Sequence, residues 1–365
     1  MTDYYVDAGS GDDANTGLIG DPWATLGKMT SEVVAATIVN GDIVYVKGGT
    51  AYTETMNTGS WPFTTTPGES IQIIGYTTTI SDGGMFTIDG ESTRTNGLIT
   101  LVNNRRIIFR NMRVTGHTGT GCSYGQADAL VFHNCRFDNN GSHGALNDDY
   151  CHYFNCQSDG NSGDGFNTGF GTTFTGVLSF GNTSEQITMT SGRVLFAELY
   201  GLGGTTNRAI SMTGTGSNEN SIMHVIADGE NSASKTGFYI GNTTRFACPV
   251  WNCSLYDFVE GIDFNSSCKQ EGIVRYCHFH SNSTADITNA TGDLFSASGA
   301  PLFTDEANSD YSLGASSPLI DAGFDAGALD GGTSYMDIGG KQKEAAAGGA
   351  IVNQGVQAIE SGIMA

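Results

Sequence analysis

The sequence predicts a right-handed parallel β-helix, a solenoid of stacked three-strand coils capped at both ends. Three observations predict it. A short motif returns at a period in the low twenties, each copy breaks the alternation of a flat strand, and the composition suits many short strands joined by polar turns.

The motif reads large apolar, any, Asn or a substitute, small apolar, any, often apolar. It appears as Phe109-Arg110-Asn111-Met112-Arg113-Val114 and Phe132-His133-Asn134-Cys135-Arg136-Phe137. It returns as Tyr153-Phe154-Asn155-Cys156, Phe174-Thr175-Gly176-Val177 and Phe196-Ala197-Glu198-Leu199. Fainter copies are Met223-His224-Val225-Ile226, Val250-Trp251-Asn252-Cys253 and Val274-Arg275-Tyr276-Cys277. Counted from Met112, the steps are 23, 21, 21, 22, 27, 27 and 24 residues. Units of that size bury little alone and must stack.

Ile107, Phe109 and Asn111 share one strand parity, whereas Met112 and Val114 share the other. A flat strand cannot turn both sets inward, because its side chains alternate. The parity changes at Asn, which tolerates left-handed backbone. Each coil is therefore expected to turn a corner at Asn111, Asn134, Asn155 and Asn252, with Gly176 in the same place. Cys135, Cys156, Cys253 and Cys277 then become small inward fillers, the alternative being disulfides between neighbours. A second column opens each coil at Gly97-Leu98, Gly144-Ala145, Gly165-Phe166, Gly237-Phe238 and Gly261-Ile262. Its first outward positions read Asn147, Asn167, Thr188, Ser211, Tyr239, Asp263 and Thr288.

At the start, Asp21-Pro22-Trp23 offers an N-cap before a proline, and Trp23, Leu26, Met29 and Val33 form an apolar helical face to plug the solenoid. Residues 1–50 are thus expected to form the N-terminal cap and first coil, 51–340 the solenoid, and 341–365 a tail. In the tail, Val352, Val356, Ile359 and Ile363 recur at helical spacing, as either a cap or a docking helix.

Composition agrees. Gly (52), Asn, Thr and Ser run along nearly the whole chain, Pro numbers 6, and 15% of residues are charged. Hydrophobic content of 38% is enough for a core. The formal charge of −22 repels phosphate backbones and anionic membranes, which argues against a nucleic-acid or membrane role. That acidity is either a solubilising surface or divalent-cation binding at Asp-rich turns. Residues 1–30 lack the basic and apolar regions of a secretory signal, and no stretch reaches transmembrane length. The 8 Cys fall mostly at repeat positions, not in CxxC pairs, so no zinc site is expected.

Several segments resemble the pectate-lyase-like right-handed β-helix superfamily and the opening module common in it. They are Tyr4-Tyr5-Val6, Gly9-Ser10-Gly11-Asp12, Asn15-Thr16-Gly17, Pro22-Trp23-Ala24-Thr25-Leu26 and Gly41-Asp42-Ile43-Val44-Tyr45-Val46. Towards the other end come Pro301-Leu302-Phe303, Ser317-Pro318-Leu319-Ile320-Asp321-Ala322-Gly323 and Asp337-Ile338-Gly339-Gly340. The resemblance spans roughly residues 4–340 and is specific for fold, not function, since members include polysaccharide lyases, hydrolases, epimerases and virus surface proteins.

A glycosidase needs two carboxyl groups roughly 5–9 Å apart, which adjacent coils would supply from one outward column. The columns beside the corner read Arg110, His133, Phe154, Thr175, Ala197 and Arg113, Arg136, Gln157, Leu178, Tyr200, without a carboxylate pair. The opening column offers only Asp263. Turn acids are Asp128, Asp148, Asp149 and Asp164. Asp148-Asp149 and Gly141-Ser142-His143-Gly144 resemble polygalacturonase motifs, but here the His segment precedes the acids, so those roles are not carried over. Arg105, Arg106, Arg110, Arg113 and Arg136 make a basic wall with His133, read as a catalytic surface, a docking or glycan-binding patch, or plain surface charge. In lyases of this fold basic side chains and calcium held by acids neutralise a uronate, which makes Arg110, Arg113, His133 and Arg136 the catalytic candidates and Asp148, Asp149 and Asp164 the calcium candidates.

The main expectation is a non-enzymatic virus-particle surface protein: a bacteriophage capsid decoration, fibre or spike component with a glycan-binding role in view. It would be a homotrimer, require no cofactor, be made in the host cytoplasm, and dock on a capsid or other virion protein through Val352, Val356, Ile359 and Ile363. The alternative is a secreted polysaccharide lyase acting on an acidic glycan with the basic wall and calcium. A glycan-binding module without turnover is the third reading.

Overall fold

The computed structural model describes residues 1–59, 61, 70–100, 107–124, 130–146, 149–204, 207–214, 220–230, 234–241, 248–265, 274–288, 296–297, 300–305 and 310–320. They form a right-handed parallel β-helix with one N-terminal helix and a C-terminal antiparallel hairpin. The tail positions Val352, Val356, Ile359 and Ile363 lie outside the described residues. Among the described residues, no helix is long and apolar enough to cross a membrane.

Each coil has three strands. Ile107–Arg110, Val131–His133, His152–Phe154 and Thr172–Thr175 pair in parallel as the first face. Beyond the corner, Met112–Thr115, Arg136–Asp138, Gln157–Asp159 and Leu178–Phe180 pair as the second face. A third, ten-stranded sheet closes the coil and includes Phe166–Thr168, Ile187–Met189, Arg208–Met212, Thr236–Ile240 and Glu260–Phe264.

The corners fall where the parity break places them. Asn111, Asn134, Asn155 and Asn252 have φ of 55°, 54°, 50° and 54°, and Gly176 has 68°. Asn134 Nδ2 donates to Asn111 Oδ1 at 2.7 Å, so adjacent corners are tied along the axis. Both flanks then point inward. Phe109, Phe132, Tyr153 and Phe174 stack with centroids 5.3, 5.1 and 5.0 Å apart. Across the corner, Met112, Cys135, Cys156, Val177, Cys253 and Cys277 are all buried. The seven described cysteines are free thiols, as the inward-filler reading expects.

Two coils are framed differently from the sequence reading. Phe174 pairs with Val194 and Ile222 with Val194, so the corners fall on Phe196 and His224, each at φ 55°. The filler next to the corner is therefore Ala197 or Val225; Leu199 is buried one inward position further on, and Ile226 packs with Tyr256 outside the main core. The motif misleads because Phe196 looks like the large inward apolar residue. It instead sits at the bend, stacked 4.6 Å from the His224 ring. The outward columns shift accordingly: Leu195, not Ala197, follows Thr175, and Glu198, not Tyr200, follows Leu178. On the third sheet Leu146 pairs with Asn167 across the ladder, and Asn147 lies outside the described residues.

The helix runs Leu26–Val34 with Leu26, Met29 and Val33 buried, as expected. Its N-cap is Thr25, whose hydroxyl accepts from Lys28 N–H at 2.9 Å, not Asp21. Trp23 is extended there and bridges Val6, so the chain joins the first coil before the helix starts. Glu54 accepts from the Leu26 and Gly27 N–H groups at 2.9 and 2.7 Å, satisfying donors a helix leaves open. At the far end Phe303 packs on Tyr256 at 5.4 Å, which covers the second face near Ile226 and Tyr256.

Two consequences are measurable. Asn134→Ala puts a side chain ill-suited to left-handed backbone at the corner and is expected to cost about 1–2 kcal/mol, with Asn134→Gly costing less. Comparative chemical denaturation checks the order. At the His224 corner, burial holds the imidazole down to about 4. An unfolded His titrates higher, so the unfolded chain takes the proton first and stability falls as pH drops from about 6.5 towards 4. His224→Phe should flatten that part of the stability profile while keeping the ring stack.

Candidate functional site

The basic wall expected from sequence is assembled in register: Arg110 pairs with His133, and Arg113 with Arg136. The corner, however, separates the two pairs onto different faces. Arg105 and Arg106 lie outside the described residues. Arg113 grips Asp138 through Nε and Nη2 at 2.8 and 2.6 Å, and Arg136 grips Asp159 at 3.0 and 2.8 Å. Asp138 also lies 3.5 Å from Arg136 Nε. The hydrogen bond to Asp138 holds the Arg113 pKa above its ordinary value, against burial. Asp138 and Asp159 face each other across one coil, a carboxylate pair in one column that the sequence reading missed because it stopped at the columns nearest the corner. Asp138 is fully buried and both acids are committed to arginines. The wall is thus an ion ladder, and Arg113 and Arg136 are spent inside it. Arg110 carries no ion pair among the described residues, and the His133 ring lies 6.4 Å from Phe154.

Of the acids expected to hold calcium, the two described ones accept hydrogen bonds from the protein. Asp148, like Asp128, lies outside the described residues. Asp149 Oδ1 accepts the Phe170 N–H at 2.6 Å. Asp164 spends Oδ1 on the Glu185 N–H at 3.2 Å and Oδ2 on Asn167 Nδ2 at 2.7 Å. His143 Nδ1 accepts the Asp164 N–H at 3.0 Å, so this His and acid organise a turn. Calcium takes six to eight oxygen ligands, whereas Asp164 already serves protein donors. Among the described residues no three His, Cys, Asp or Glu are grouped to hold a metal ion.

The third sheet presents a different arrangement. Its strands bend around a small residue, so each coil sends out two side chains three positions apart. Arg208, Thr236 and Glu260 pair in one column, and Ser211, Tyr239, Asp263 and Thr288 in the next. Arg208 leaves its own coil. Its Cζ lies 3.8 Å from the Tyr239 ring centroid, and Nη1 donates to Ser211 Oγ at 3.3 Å. Gly241 makes room for that ring, since a Cβ there would come within 2.4 Å of Tyr239 Cε1. Asn265 Nδ2 donates to the Tyr239 hydroxyl at 3.5 Å. In the next coil Asp263 accepts from Thr288 Oγ1 at 3.1 Å. Burial, then the Asp263 charge, pushes the Glu260 carboxyl up.

No carboxylate among the described residues forms an ion pair with Arg208, although acids occupy the neighbouring coils. Arginine presents a planar fork that matches a carboxylate, and stacking on an aromatic ring holds it in place. Chemically, the cluster combines an anion receptor with two neighbouring carboxyl groups, of which Glu260 is biased towards its protonated form. The sequence reading named Ser211, Tyr239 and Asp263 as outward but missed Arg208 and Glu260. Their signal was present: Arg208-Ala209-Ile210-Ser211, Thr236-Gly237-Phe238-Tyr239 and Glu260-Gly261-Ile262-Asp263 share one pattern of polar, small, apolar, polar.

Two solved structures match this fold over nearly their whole length. Pectate lyase Pel9A has a TM-score of 0.69 at 16% identity, covering 94% of this chain and 97% of its own. A rhamnogalacturonan lyase has a TM-score of 0.57 at 14% identity, covering 86% and 95%. No family model and no curated protein matches the sequence. At such identity the likeness shows the fold. It also corrects the expectation of a bacteriophage decoration, fibre or spike protein, because the structures that share the fold end to end are carbohydrate-active enzymes. One argument for that expectation was the lack of outward carboxylates. It rested on columns misframed at Phe196 and His224, which hid Glu198, and it overlooked Glu260.

The ion ladder is a stabilising element. Asp138→Ala leaves the Arg113 guanidinium without its acid, while Arg136 keeps Asp159, and is expected to cost about 2–4 kcal/mol. A lower thermal midpoint, with Asp138→Asn intermediate, is the outcome that thermal denaturation checks.

Proposed function

We propose that the chain is a polysaccharide lyase acting on an acidic glycan laid across the third sheet, with Arg208 receiving the sugar carboxylate. The observation that carries this reading is the Arg208 fork, ordered on Tyr239 and Ser211 and without an acid partner among the described residues. In a protein of formal charge −22, an arginine that neighbouring acids leave unpaired is a local receptor for an anionic ligand. The full-length fold likeness to enzymes named for pectate and rhamnogalacturonan cleavage supports the same class of reaction.

In such an elimination a proton leaves the carbon next to the carboxylate, a carbon–carbon double bond forms, and the glycosidic carbon–oxygen bond breaks. Negative charge builds on the carboxylate in the transition state. A fixed guanidinium stabilises that charge more than the ground state, which is the condition for faster chemistry. Thr236, half-buried and paired with Arg208 across the ladder, offers a hydroxyl for a sugar oxygen. Calcium at Asp148, Asp149 and Asp164 remains part of the wider expectation, but no step here runs through it.

Incubation with polygalacturonate and rhamnogalacturonan, followed by absorbance of the unsaturated product, tests the reading. Wild type should produce it, and Arg208→Ala should lose about 100-fold in kcat/KM. Arg208→Lys should recover only part, because a point charge does not replace the fork. An Arg208→Ala variant as active as wild type would sink the assignment.

A further inference from the structure

We propose that Glu260 and Asp263 are the proton-transfer pair of this site, Glu260 as the acid for the departing sugar oxygen and Asp263 as the base. The inference rests on the lyase reading and deepens it.

The placement carries it. Glu260 lies in the Arg208 column two coils on, roughly 10 Å by strand spacing. Arg208, though, meets the Tyr239 ring in the intervening coil, which brings the guanidinium to about one coil, roughly 5 Å, from the level of the acids. Glu260 and Asp263 flank the bend at Gly261-Ile262, so both emerge on the same side of the sheet. No ion pair joins either to Arg208 among the described residues. That places Arg208, Tyr239, Glu260 and Asp263 on the outward side of three successive coils.

Two neighbouring carboxyl groups held in different protonation states are the usual source of an acid and a base in one site. Partial burial and the charge of Asp263 both favour the protonated form of Glu260. Asp263 is steadied by the Thr288 hydroxyl. The reaction balances without an outside reagent. Asp263 takes the proton from the carbon beside the sugar carboxylate, and the electron pair of that bond becomes the double bond. The glycosidic carbon–oxygen bond breaks, and its oxygen takes the proton of Glu260. Transfer of the acquired proton from Asp263 to Glu260 then restores both groups.

The test uses the full chain on polygalacturonate and rhamnogalacturonan. Glu260→Gln should lower kcat by about 100- to 1,000-fold with KM nearly unchanged, and the fall in kcat at high pH should disappear. Asp263→Asn should lower kcat to a similar extent, again with KM nearly unchanged. A thermal midpoint within a few degrees of wild type confirms that each variant is folded. Wild-type cleavage with a Glu260→Gln variant of equal kcat, or with its alkaline limb intact, overturns the pair and leaves the lyase reading standing. If wild type produces no unsaturated product from either polymer, the lyase reading fails and this assignment fails with it. Shortened chains without unsaturated ends would instead make the pair a hydrolytic one and overturn the elimination.

Discussion

The structure depends on one backbone constraint, the left-handed corner that each coil must turn between its first and second faces. Without it, alternation would send half of the apolar side chains to solvent. With it, the Phe109–Phe174 stack and the Met112–Cys277 column share one interior. Asn meets the constraint at least cost, and Gly176 meets it with none. Phe196, His224 and Tyr276 meet it at a price in backbone strain, with φ of 55°, 55° and 54°. The Phe196–His224 ring stack offsets part of that strain.

The same corner decides which charges are available. Side chains just beyond it lie flat along the second face, where coil spacing sets an arginine beside the acid of the next coil. Arg113 and Asp138, then Arg136 and Asp159, close into a ladder with one buried carboxylate at its centre. A basic wall therefore becomes a stabilising seam. On the third sheet the bend falls at small residues, and Arg208 turns towards an aromatic ring instead of an acid. Two arginine environments in one solenoid thus follow from what stands one coil away.

Function on such a scaffold is assembled from residues 20 to 30 positions apart in sequence, at one level of the stack per coil. The proposed site draws Arg208, Tyr239 and Asp263 from three successive coils. Gly241 matters to it because a side chain there would displace the ring on which Arg208 rests. In the coils before the site, the His143–Asp164 turn and the buried Asn140–Asn161–Asn182 amide ladder hold a common rise.

By itself the sequence determined the coil, the Asn and Gly176 corners, the inward cysteines, and the Leu26–Met29–Val33 cap face, because each is a local matter of parity and backbone tolerance. It also placed Arg113 against Arg136, since coils of regular length stay in register without further information. The tertiary structure alone decided that Phe196 is a corner, that Thr25 and not Asp21 caps the helix, and that Arg113 and Arg136 are neutralised while Arg208 is not. A parity pattern cannot tell a large apolar residue that faces the core from one that stacks outside it. Nor does sequence spacing report which of several neighbours, each one coil away, a long charged side chain will reach. That choice is made by distances across the stack, and they exist only once the coils are folded on one another.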